Sequence, residues 1–480
     1  MLLAVMLGSL GGYRAARAIG ADASLALAVA IPLGMALLSA WTYLLLRAGV
    51  SWHVWTWLTE GLLAAGLGAS YWRRRNFRAP RETPHLPNFW HWPRSRQILA
   101  CFVTSLALIR LVDLPGLLKS LPDGDWDAWA LWNMTARALV LGQEGLALMQ
   151  RAELANAHPD YPWNLPLTIA RLWSLTIPGD STVPEMISGL AWVAVSLGIG
   201  LWVRTFAGVT ASLVAMGLWL VGDQAFLAAR MQYADQQVAA AVLAAGGCLA
   251  KAAATGREEP DRAWRALGLG GVMALVAAWT KNEGAAFAML WALAALALVW
   301  RRRLPFRPQR GWMVPTALLG ALPAVALLLH KSWAPANDLT HGQSLSRMLE
   351  CLTSPERWHA VTHAMAKAFW NLGPDGPLVL LIAGAGMGLT CSRASRRAGI
   401  TVLGLAAGQL SINLLVYLLT PRDLTWHLAT SVDRVVSQIW PLVLVGASSL
   451  LHLPSHADDL LPSQDGEAST SQLPARREAR

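Results

Sequence analysis

Apolar runs of roughly 16–24 residues recur along this chain, each about long enough for a helix to cross the hydrocarbon core of a bilayer. In lipid every backbone N–H and C=O must be satisfied within the protein, which leaves helices or closed barrels as spanning structures, and long unbroken runs select helices. About a dozen crossings fit within the 480 residues. Composition agrees: 55% of residues are hydrophobic and 14% charged, against about a quarter charged in a soluble domain. The sequence therefore predicts an all-α polytopic membrane protein of about 12–13 transmembrane helices over residues 1–452. The polar, aromatic-poor stretch 453–480 reads as a disordered cytoplasmic tail.

The formal charge of +10 does not point to nucleic acid. Its arginines gather in short loops between apolar runs, as the positive-inside rule expects of a protein whose partner is a lipid bilayer. The largest cluster is Arg73–Arg96; Lys251–Arg265, Arg301–Arg310 and Arg393–Arg397 follow. The 25 tryptophans include Trp52, Trp72, Trp300, Trp312 and Trp440 near predicted helix ends, where the indole anchors at the interface. Cys101, Cys248, Cys351 and Cys391 show neither metal-ligand spacing nor a disulfide framework. Met1–Leu10 is apolar without a preceding basic region or clear cleavage site, which argues against a removable signal peptide.

Fixing the basic clusters on the inner side sets a topology in which both termini lie inside. Leu114–Asp160, Asp223–Ala234, the Lys281-Asn282-Glu283-Gly284 turn and Thr420–Val435 then fall outside, together with the long connection 331–376. Tyr161–Ile177, interrupted by Pro162 and Pro166 and followed by Pro178, fits a re-entrant or half-spanning segment. Arg204 favours an inside turn between Pro184–Val203 and Ala207–Gly222. Ala128–Val140 places Trp129, Trp132, Ala136, Leu139 and Val140 near one face, the pattern of an amphipathic helix on the outer surface.

Within the first outer segment, residues 114–160, Asp123, Asp125, Asp127, His158 and Asp160 cluster among tryptophans. Carboxylates at a membrane boundary can deprotonate a polar substrate while a lipid-borne partner arrives from the side. Asp127, flanked by Trp126 and Trp129, is either a general base or the cap of the helix that starts at Ala128. Asp125 is the second candidate base, and Asp123 between Pro122 and Gly124 suits a turn. Lys281 can neutralise a departing phosphate or simply pair with Glu283. Arg422, His427 and Arg434 break the positive-inside pattern on the last outer segment, either for an anionic ligand or to pair with Asp423 and Asp433. Arg230 is a further candidate cation, and Asp235 stands at a predicted outer helix end.

Gly124-Asp125-Trp126-Asp127-Ala128-Trp129-Ala130-Leu131-Trp132-Asn133, followed by His158-Pro159-Asp160-Tyr161-Pro162, resembles the first outer loop of bacterial GT-C glycosyltransferases. These are membrane enzymes related to protein O-mannosyltransferases and the aminoarabinose transferase of lipid A. Tyr233-Ala234-Asp235, Trp279-Thr280-Lys281-Asn282-Glu283-Gly284 and the run from Thr420 through Leu428 to Ser431-Val432-Asp433-Arg434 look like further blocks of that family, in order. The resemblance implies a GT-C-like fold with surface helices in the first outer loop and a catalytic aspartate there. It also implies a polyprenyl-phosphate sugar donor, a protein, lipid or glycan acceptor, and inversion at the anomeric carbon. His158, Asp160 and Tyr161 would bind or orient the acceptor. Asp125 and Asp127 are spaced where the wider superfamily has an adjacent acidic pair, which leaves the base open between them. No cofactor is required by the residues, and a divalent metal stays open. The expected setting is a bacterial inner membrane with the site facing the periplasm. A transporter or flippase, and a polysaccharide polymerase or ligase using lipid-linked sugars, are the competing readings.

Overall fold

The computed structural model describes residues 1–77, 89–151, 153–154, 158–255, 259–305, 310–335, 343–372 and 392–451. Helices are the regular structure, with no strand among the described residues. Among them nine helices are long and apolar enough to cross a membrane, the make-up of a multi-pass membrane protein. The expected crossing at Pro377–Cys391, the tail 453–480 and part of the loops 73–96 and 331–376 lie outside the described residues.

Small residues set the closest helix contacts. Leu2–Ala18 lies antiparallel against Ala23–Arg47. Gly8 and Gly12 are one helical turn apart, and a Cβ at Gly12 would stand 2.1 Å from the Ala30 carbonyl oxygen. A Cβ at Gly34 would likewise meet the Gly8 carbonyl oxygen at 2.1 Å. Without side chains there, the two backbones touch, as in small-xxx-small packing of membrane helices. This helix corrects the expected topology. Because Leu2–Ala18 runs against Ala23–Arg47, Met1 lies toward the end where Arg47 lies, not at the arginine-rich end with the other expected inner segments.

Thr182–Val221 is a helical hairpin folded at Gly208, whose φ of 85° and ψ of −177° only glycine adopts at low cost. Ser212 Oγ donates to the Gly200 carbonyl at 2.8 Å and Trp219 Nε1 to Ser196 Oγ at 2.7 Å, which locks the two arms together. The turn anticipated from Arg204 is therefore present. Asn164–Trp173 is a short helix with every residue buried, in keeping with a half-spanning segment between prolines.

The polar ends of the helices sort into two groups. At one, Lys251 pairs with Asp22, Gly20 lies against the Arg265 side chain, and Arg302 donates to the Thr255 carbonyl at 2.7 Å. Ser395 Oγ reaches the Phe206 carbonyl there at 2.5 Å. The other end gathers the aspartates of the first outer loop, the start of Asp235–Ala254, the turn at Lys281, and Lys331. Three of the basic clusters expected to share one side, at Lys251–Arg265, Arg301–Arg310 and Arg393–Arg397, thus do so among the described residues.

Two expectations change. Thr420–Val435 is not a loop: the helix Leu424–Leu450 starts at Asp423, whose carboxylate accepts from Trp426 N at 2.7 Å. Polar residues hid that start, and Arg434 consequently sits within the helix. In the first outer loop, Ala128–Trp132 is a π-turn that leads into Asn133–Leu139. Trp132, Ala136 and Leu139 share one face, but it is buried within the protein, and Trp129 is exposed while Asn133 is buried. The π-turn rotates the face by adding a residue to the turn.

Candidate functional site

A tight turn aims the aspartate loop. Gly124 has φ of 71°, and a Cβ there would stand 2.4 Å from that of Ala128 and 2.8 Å from the Met231 carbonyl oxygen. Only glycine fits this approach. Gln232, itself left-handed at φ 57°, donates to the Leu121 and Pro122 carbonyls at 3.1 and 2.9 Å and accepts from Asn133 at 3.3 Å. Asp125 N donates to the Met231 carbonyl at 3.2 Å. The Ala229–Gln232 turn thereby holds the loop from behind.

The two aspartates then part company. Asp125 turns its carboxylate onto the adjacent Trp126 N at 2.7 Å and serves the turn. Asp127 stands at the helix start but makes no capping bond with its side chain. Its Oδ2 lies 2.7 Å from Nη2 of Arg434. Arg434 also faces Asp235, Nε to Oδ2 at 3.6 Å, and its guanidinium lies over the Tyr233 ring at 4.4 Å. Asp235 in turn accepts from Lys281 Nζ at 3.1 Å and from Gln438 Nε2. Lys281 Nζ lies 3.0 Å from Glu283 Oε1. Carboxylates and cations therefore alternate along one chain: Asp127, Arg434, Asp235, Lys281, Glu283.

A second polar group joins this chain at the same turn. Asp160 Oδ2 accepts from Asn282 Nδ2 at 2.8 Å, and Lys331 Nζ bridges the Asp160 carbonyl at 2.6 Å and Asn282 Oδ1 at 2.7 Å. His158, left-handed at φ 48°, brings Nδ1 within 3.7 Å of Asp160 Oδ1. Tyr161 is stacked on Trp132 and on His158, with centroids 5.6 and 5.2 Å apart. Behind it Trp163 and His330 pack in an aromatic wall with Tyr43, Trp279 and Trp333.

Electrostatics fix the protonation of the groups at the helix ends. Burial alone would lower the Lys281 ammonium, but Asp235 and Glu283 outweigh it, and it sits above its ordinary value. A raised lysine contributes stability that is fully present below the unfolded value and is lost as pH rises through the folded one. Burial lifts the Tyr161 phenol well above its usual range, and Glu283 and Asp160 raise it further. Burial and Asp127 do the same for Tyr233. Both phenols remain neutral hydrogen-bond donors at neutral pH.

Of the residues singled out from sequence, Asp127, Asp235, Lys281, Glu283 and Arg434 meet in one chain, with Asp160, His158 and Tyr161 beside it. Arg434 pairs with Asp127 and Asp235, not with Asp423 or Asp433. His427 and Arg422 belong to the helix start instead: His427 Nδ1 contacts Thr420 Oγ1 at 2.9 Å and Arg422 stacks on Trp426 at 5.6 Å. Arg230 stands on the turn behind the aspartate loop, with its buried Nε lacking a hydrogen-bond acceptor. Asn282, Lys331, Gln438 and Gln232 were not anticipated. A buried glutamine inside an apolar run, as Gln438 is, was the signal available for that one. Among the described residues no three metal-ligating side chains converge. Comparison of the chain with family models, curated proteins and solved structures finds no match.

Proposed function

We propose that this chain is a GT-C type glycosyltransferase of a bacterial inner membrane. It moves a sugar from a polyprenyl-phosphate carrier to an acceptor at the periplasmic face. The observation that supports this best is the convergence of the four sequence blocks on one charge chain: Asp127 from the first, Asp235 from the second, Lys281 and Glu283 from the third, Arg434 from the last. A carboxylate and two cations at one end of a helical bundle suit an acceptor hydroxyl and a lipid phosphate meeting there.

In the reaction Asp127 takes the acceptor hydroxyl proton as that oxygen bonds to the anomeric carbon. The bond from this carbon to the phosphate oxygen breaks, and its electron pair stays on the polyprenyl phosphate. Arg434 and Lys281 neutralise the charge that grows on the phosphate. Attack from the face opposite the phosphate inverts the anomeric centre. The test is release of carrier phosphate from radiolabelled polyprenyl-phosphate sugar by purified protein in lipid. Asp127→Asn should lower turnover by about 10²- to 10⁴-fold with folding intact. Turnover at the wild-type rate would move the base to Asp125.

One observation favours a transporter. Glu60 and Arg171 pair inside the bundle, Arg171 on a half-length helix between prolines, and transporters place charges at such broken helices. Movement of the lipid-linked sugar across vesicles without cleavage of its phosphate bond would favour that alternative.

A further inference from the structure

The charge chain is one cation short. Arg434 and Lys281 are shared among Asp127, Asp235 and Glu283, so the base is neutralised by the same guanidinium that a phosphate would need. The carboxylate that would take the acceptor's proton is occupied by the Arg434 guanidinium at 2.7 Å. An incoming phosphate must therefore displace a carboxylate from a cation.

The geometry selects which one yields. Asp235 is buried, its side chain 9% exposed, and is held by Lys281 at the turn between two helices and by Gln438 from within Leu424–Leu450. Asp127 is 19% exposed, at a helix start that its side chain does not cap, and pairs with Arg434. The guanidinium is itself fixed against the Tyr233 ring, and its Nε lacks an acceptor within hydrogen-bond distance while facing Asp235 at 3.6 Å. Arg434 thus stays in place with donor capacity to spare, and Asp127 is the mobile partner. Asp125, whose carboxylate serves the turn, cannot take over its place without opening that turn.

Resting on the glycosyltransferase reading, we infer that the donor's phosphate switches the enzyme on. It replaces Asp127 on Arg434, and the released carboxylate becomes the base for the acceptor. Before the donor arrives the base is masked, so the acceptor is not activated in an empty site. Binding is then ordered, lipid phosphate first.

Removing the base should tighten binding of the carrier. The probe is a short-chain polyprenyl monophosphate without sugar, titrated into full-length protein in nanodiscs, with inorganic phosphate as a second arm. Asp127→Asn is expected to bind the lipid phosphate about tenfold tighter than wild type, within the range typical of coupling between two sites. Asp125→Asn should bind as wild type, and Arg434→Gln should bind weakly whether or not Asp127 is also changed. Asp127→Ser carries the same expectation should the asparagine variant not fold. Equal affinity of wild type and a folded Asp127 variant overturns the switch while leaving the lipid-phosphate reading intact. No binding of the lipid phosphate by wild type overturns that reading, and the switch with it. Equal gains for inorganic phosphate would place the recognition in the phosphate alone, and a gain confined to the lipid would add the prenyl chain.

Discussion

Two sets of buried charges differ in one respect that separates fastening from chemistry. Glu60 and Arg171 form a closed pair between helices, with side chains 10% and 4% exposed. The chain from Asp127 to Glu283 is graded. Lys281 and Asp235 at its centre are 2% and 9% exposed, while Asp127, Arg434 and Glu283 reach 19%, 22% and 23%. The pair balances one acid with one base. An open chain with more carboxylates than cations can exchange one of its members for an anion. Buried pairs are weak evidence for net stability, yet breaking one is costly, because the survivor is left charged in a low dielectric.

The comparison is sharpest where a single substitution is read twice, as turnover and as unfolding. Asp127→Asn should cost the largest factor in turnover, about 10²- to 10⁴-fold, with little change in thermal unfolding in detergent. Glu60→Gln and Arg171→Met should do the reverse. Arg171→Met is expected to lose about 3–5 kcal/mol of stability by leaving Glu60 unpaired, while turnover per folded molecule holds. The double change Glu60→Leu with Arg171→Met should recover most of that loss. Loss of turnover in the folded double variant would mean that the pair is part of the site, and the distinction would collapse.

Helix positions were readable in the sequence because hydrophobic length is a direct consequence of bilayer thickness. The arginine clusters likewise foretold which ends sit together, as Lys251, Arg265 and Arg302 do. Leu2–Ala18 was not foreseen as a helix of the bundle, since its Gly8 and Gly12 weaken the local signal and acquire meaning only against Gly34. In the site, carboxylates and basic residues stood out in an apolar chain, but sequence could not say which acid meets which base. Arg434 had Asp433 as its neighbour in sequence and Asp127 as its partner in space. Lys331 resembled any lysine snorkelling at a helix end, and its bonds to the Asp160 carbonyl and Asn282 follow from tertiary packing alone.

A smaller effect tests what holds the middle of the chain. Gln438 donates to Asp235, and Gln438→Leu removes that bond from a buried carboxylate. About 1–3 kcal/mol of stability should be lost. Turnover should fall as well, because Asp235 is then free to take up Arg434 and withhold it from the donor phosphate. If stability falls and turnover does not, Lys281 alone fixes Asp235, and the centre of the chain is simpler than its contacts.

The smallest effect concerns the helix that carries Arg434. Asp423 caps its first turn through Trp426 N, and Asp423→Ala should cost about 1 kcal/mol. That turn lies roughly three helical turns from Arg434, and the guanidinium is held independently by Asp127, Asp235 and the Tyr233 ring. Fraying at the cap should therefore lower the unfolding temperature slightly and leave turnover within about twofold, since the loss stays inside the first turn. A larger drop in turnover at the same small cost in stability would show that the helix start, with Arg422 and His427 on it, positions Arg434. Those two residues would then rejoin the site from which the contacts separate them, and the open chain would extend beyond Glu283 to the last outer segment.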